Sequence, residues 1–210
     1  MPDAPTALIR GGAWCGLLAA GLALGVPWVA GAVTQPYSHV SQYISELGAI
    51  GAPYADLVNL AGFLTIGLAT AVFACATYPA IGTTAVYRAG AICLLGISLG
   101  YLLAAFAPCD PGCPAVGSSR QAVHNVGGLL EYGAGGTGLL LLGGAMLRDG
   151  HKRALGSLLL LSGIIVIVVI WLLPAPTGLK GLWQRIAESV IFVSIAVTSL
   201  TWLATSPADT

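Results

Sequence analysis

Long uninterrupted apolar runs dominate the chain, in place of the short alternations of a water-soluble fold. Six stretches, residues 11–33, 55–77, 86–107, 122–147, 154–173 and 182–203, each hold about 20 or more mostly apolar residues. A backbone in hydrocarbon must satisfy its own hydrogen bonds, which a helix does within one segment. The pattern therefore predicts an all-α membrane protein, a bundle of six transmembrane helices forming a single domain over 1–210. Turn-forming residues separate the runs: Pro79 and Gly82, then Pro108 to Gly112, then Arg148-Asp149-Gly150, and last Pro174 to Gly178. The first run follows Arg10 and ends in Ala30-Gly31-Ala32, as a signal-peptidase site does. It is longer than the apolar core of a signal peptide and is read as a retained helix.

One polar stretch has its own periodicity. Between runs one and two, Val40, Ile44 and Leu47 recur at helical spacing, with His39, Gln42 and Glu46 on another stripe. Ser38 suits the start and Gly48 the end, predicting a short amphipathic helix at the membrane interface. It is either a surface helix with His39 and Glu46 in solvent or a lid over a cavity. Gly12/Gly16, Gly21/Gly25 and Gly96/Gly100 have the spacing that lets membrane helices approach closely, and run four is rich in glycine.

Composition agrees with the pattern. Charged residues make up 8% and hydrophobic ones 57%, with a mean hydropathy of +0.89. Net charge is zero and the cations are scattered, which excludes a nucleic-acid partner. Six crossings put both ends on one side, together with Arg10, Arg88, Arg148, Lys152 and Arg153; Arg120, Lys180 and Arg185 fall on the other. The positive-inside bias then places both termini in the cytoplasm.

The same parity gathers polar residues at the outer end: His39, Glu46, Asn59, Asp110, His124, Gln184 and Arg185. Cys109 and Cys113 flank a tight turn there and are expected to form a disulfide. A metal held by both thiolates with Asp110 or His124 is the lesser alternative, and neither metal nor cofactor is expected. Glu131 and Glu188 lie deeper, at comparable depth in runs four and six, where an ionisable group needs a partner. Arg185, one turn from Glu188, is the expected partner.

These residues also carry a resemblance. His39 to Gly48, Asn59, Pro108 with Asp110, His124, and Gly181-Leu182-Trp183-Gln184-Arg185 resemble the bacterial and archaeal integral membrane proteins grouped as domain of unknown function 998. Glu46 stands where that family usually has Asp, and the cysteine pair looks like a local addition. The resemblance implies a multi-pass protein of a prokaryotic cytoplasmic membrane and imports no reaction.

Three functions remain in play. The first is an outward-opening cavity that binds a lipid, isoprenoid or other amphiphile. The second is a membrane enzyme on a lipid-like substrate, with His124, Glu131 and Glu188 as candidate catalytic acids and bases and Arg185 as an anion anchor. No HExxH, Asp-rich metal box or nucleophile elbow supports a particular reaction. The third is a subunit of a membrane transport complex, or a homo-oligomer, joined through the small-residue faces.

Overall fold

The computed structural model describes residues 6–150, 152–174 and 178–204. Among them there is no strand. Helix α1 spans Thr6–Val33. Helix α2 begins at Ala55–Leu57, widens into a π-helical segment at Val58–Leu64 and continues as Thr65–Ile81. Helix α3 is Ala85–Phe106. Helix α4 runs through Ser119–Gly128, a second π-helical segment at Leu129–Ala134, and Gly135–Arg148. Helices α5 and α6 are Arg153–Leu172 and Lys180–Ala204.

Five of these, all but α4, are long and apolar enough in one piece to cross a membrane. Run four of the sequence is helical throughout, but its first ten residues carry His124, Asn125 and Glu131, which interrupt the apolar stretch. Each helix packs against its neighbours in sequence, and α6 closes the ring against α1. Leu18, Trp14, Leu99, Val168 and Trp171 point outward, as expected where the surrounding solvent is lipid.

Missing side chains set the helix spacing. A Cβ at Gly96 or Gly100 of α3 would lie 2.5 Å from the Cβ of Ala134 or Glu131, so α3 presses directly on the π-helical segment of α4. At the inner end, Gly143 faces Leu160 and the Gly156 carbonyl, while Gly163 faces Leu140 and the Gly136 carbonyl. These two pairs, seven residues apart on each helix, form a close seam between α4 and α5. Gly21 and Gly25 have no neighbour within 4 Å of a would-be Cβ; their spacing makes no packing seam within this chain.

The predicted amphipathic helix is replaced by a different structure. Only Ile44–Gly48 is helical, as a short 3-10 turn, and Ser38 to Gln42 form a turn closed by Gln42 N–H on the Ser38 carbonyl. Ile44, Leu47 and Gly48 are buried among the helix ends, whereas Val40 is 46% exposed. Glu46 accepts from the Tyr43 N–H at 2.9 Å, the bond of a capping box that makes Tyr43 the N-cap and starts the helical turn at Ile44. The segment is a plug in the mouth of the bundle between the ends of α1, α2 and α6, not a helix lying on the surface. The turn at Pro174 to Gly178 was expected between α5 and α6; its centre, 175–177, lies outside the described residues.

Candidate functional site

The deep carboxyls are brought together. Glu131 and Glu188 are buried at 7% and 3% exposure and line the same small chamber. The expected partner, Arg185, is elsewhere. Glu188 instead accepts from two phenols, Tyr101 at 2.8 Å on one oxygen and Tyr132 at 2.7 Å on the other. Gln184 Nε2 donates to the Tyr132 hydroxyl at 3.0 Å, and its Oε1 accepts from the Ile44 N–H at 2.6 Å. One chain of bonds thus links the plug, α6, α4 and α3. Oε1 of Glu131 is buried and has no partner.

Two π-helical segments flank this network, containing Asn59 in α2 and Glu131 with Tyr132 in α4. An extra residue in a helical turn rotates the side chains after it and often marks a functional site. Here it sets Glu131 and Tyr132, neighbours in sequence, on the same chamber wall. That chamber measures about 50 Å³ and is also lined by Ile44, Ser45, Phe63, Tyr101, His124 and Glu188.

Outside it lies a vestibule of about 620 Å³, walled by the plug, the Cys113 loop, α4, and the outer ends of α5 and α6. Ser45, His124, Gly128, Tyr132 and Gln184 line both spaces. The vestibule exists because the glycine seam stops. Past Gly136 and Gly163 the facing positions are Leu129, Ile170 and Leu173, and the two helices part there.

Arg185 is a strut. Its Nη1 donates to the carbonyls of His39, Gln42 and Gly181 at 2.8, 3.2 and 3.0 Å, and Nη2 to the Tyr37 hydroxyl at 2.7 Å. It lines neither cavity. Lys180 holds the same segment through Glu46 at 2.8 Å, which removes Glu46 from solvent, and lies over the Tyr43 ring. His39 stacks on Trp28 with ring centroids 4.5 Å apart, meets Tyr37 edge-on, and sits against Gly31. Burial lowers its pKa, helped by the Arg185 charge. Asn59 donates to the Gly48 carbonyl at 2.8 Å and so pins the end of the plug.

Cys109 and Cys113 form a disulfide. His124 lies beside it, with its ligating atom and both sulfurs within 4.8 Å of one another. His124 Nδ1 is 3.0 Å from the Ala107 carbonyl; a carbonyl only accepts, so Nδ1 carries a proton. Asp110 is a loop organiser. It accepts from the Ser118 N–H and hydroxyl at 2.7 and 2.8 Å, and these bonds hold its pKa below the usual value.

Tyr101, Tyr132 and Gln121 have roles that sequence reasoning missed. Gln121 is wholly buried and joins the Asp110 N–H to Asn125. Within the apolar runs the one signal that marks these tyrosines is a hydroxyl at the depth of two acids, which needs a polar partner.

Several long apolar helices arranged this way define a multi-pass helical membrane protein. Residues 17–201 match the family model described as protein of unknown function (DUF998), and the chain belongs to that family. No curated protein and no solved structure matches it.

Proposed function

We propose that the protein crosses a prokaryotic cytoplasmic membrane six times, with both ends in the cytoplasm, and binds a lipid, isoprenoid or other amphiphile in an outward-opening cavity. Counting Ser119–Arg148 as a crossing despite its π-helical segment supports the even number. Arg10, Arg88, Arg148, Lys152 and Arg153 against Arg120, Lys180 and Arg185 support the orientation. The observation that carries the binding reading is the pairing of a 620 Å³ vestibule, walled partly by Leu129, Ile170 and Leu173, with a polar chamber behind it. Ligand sites combine a mainly apolar wall with a few convergent polar groups in this way.

Gly128 offers a direct test. It lines both spaces, and nothing lies within 4 Å of a Cβ built on it. Gly128→Phe is expected to obstruct the passage between vestibule and chamber and leave the fold intact. Native mass spectrometry from mild detergent should show a lipid adduct on the wild type and its loss in this variant at unchanged thermal midpoint. No adduct on the wild type after exposure to lipid extracts would sink the proposal.

A second reading, an acid–base enzyme acting on the same amphiphile, draws on His124. With Nδ1 committed to Ala107, its Nε2 is left as a basic nitrogen on the wall shared by both cavities. Turnover of a lipid panel that is unchanged in His124→Ala would remove it from any mechanism.

A further inference from the structure

The chamber has acceptors and no cation. Glu131 and Glu188 share the wall of one small chamber, where neighbouring like charges away from water repel too strongly for both to ionise. With both Glu188 oxygens already accepting from phenols, the pair leaves one negative charge in the chamber. No lysine or arginine lines it: the Nη atoms of Arg185 are engaged by three carbonyls and Tyr37, and Lys180 pairs with Glu46. His124 is the one other titratable wall residue besides the acids and the tyrosines, and its Nδ1 proton is given to Ala107. Glu131 Oε1, buried without a partner, is a vacant acceptor on this wall. A buried charge is retained only when paired and hydrogen-bonded.

Resting on the cavity reading above, we infer that the chamber takes the primary ammonium head of an amphiphile whose apolar part occupies the vestibule. An ammonium brings the missing positive charge and three N–H donors, and Glu131 Oε1 is the acceptor waiting for one. A hydroxyl head brings a donor without charge. A trimethylammonium head brings charge without a donor. Phosphate and carboxylate heads bring a charge of the wrong sign.

Four probes with one chain length separate these cases: dodecylamine, dodecanol, dodecyltrimethylammonium and dodecanoate. They are offered at equal micromolar concentration to the purified protein in maltoside micelles and read by native mass spectrometry. The measurement is made at about pH 8, above the usual histidine value and below that of an alkylamine. Charge-assisted bonds are about twice as strong as neutral ones, so dodecylamine should exceed dodecanol by about tenfold or more, and exceed dodecyltrimethylammonium as well. In the double variant Glu131→Gln/Glu188→Gln, which has no charge to match, the amine and alcohol should bind equally.

Equal binding of amine and alcohol to the wild type overturns the inference and leaves the amphiphile cavity standing. So does trimethylammonium binding as tightly as the primary amine, a result that stands even if the double variant fails to fold. An amine preference that survives in a folded double variant also overturns it, by showing that the preference lies outside the chamber. If no probe binds, both readings fall.

Discussion

The hydrogen bonds around Glu188 are unequal, and this asymmetry can be measured. Tyr101→Phe removes one hydroxyl from a carboxylate while keeping the ring that meets Phe63 and Phe192 edge-on. A hydrogen bond to a charged group contributes about 1.5–3 kcal/mol, which is the expected loss. Tyr132→Phe removes the equivalent bond to the other oxygen and also the acceptor of Gln184 Nε2. Gln184 is half-buried and lines the vestibule, so leaving its donor unmet adds up to about 1–3 kcal/mol. Tyr132→Phe should therefore destabilise by about 3–5 kcal/mol and exceed Tyr101→Phe. Equilibrium unfolding in mixed micelles, titrated with SDS, measures both. In a Glu188→Gln background the cost of Tyr132→Phe should fall clearly, because the charge-assisted part is gone. Equal costs for the two phenylalanine variants, or full additivity with Glu188→Gln, would refute the network as described.

Three further outcomes follow from the packing and the outer loops. Gly143→Ala should cost about 1–3 kcal/mol by forcing α4 off α5, whereas Gly144→Ala, with nothing near its Cβ, should be neutral or slightly stabilising by the same unfolding assay. Replacing both Cys109 and Cys113 with serine opens a link across a sequence separation of 4; the loop-closure cost predicts a loss of about 2 kcal/mol, and reduction of the wild type should expose Cys109 and Cys113 to labelling in addition to the free Cys15, Cys75 and Cys93. His39 has a lowered pKa in the fold, so the unfolded chain takes up its proton first as pH falls. Its contribution should be complete above the usual histidine value of about 6.5 and lost progressively below it, with native-state Trp28 fluorescence changing only at lower pH, where the folded imidazole itself titrates. In His39→Gln the thermal midpoint should lose that part of its pH dependence.

Much of the architecture is written locally. Runs of about 20 apolar residues can only be helices in hydrocarbon, because each segment must close its own hydrogen bonds. The turn residues between them, the cysteine pair at a separation of 4 and the depth of Glu131 and Glu188 are likewise matters of residue type and rise per residue. What periodicity could not give was the state of 38–48. Its helical spacing is real, but Arg185, Lys180 and Gln184, all on α6, capture its carbonyls, its acid and its N–H. Those tertiary bonds outcompete a regular helix in so short a segment.

The tertiary structure alone decided the partners. Arg185 and Glu188 are three residues apart on one helix, which suggested a pair, yet the arginine serves the loop and the acid is met by phenols from α3 and α4. The π-helical segment that carries Glu131 and Tyr132 is the part of α4 against which Gly96 and Gly100 of α3 pack. The vestibule depends on where the α4–α5 seam ends. A sequence records which groups lie at one depth; which of them touch depends on helix rotation and spacing, set by contacts between residues far apart in the chain.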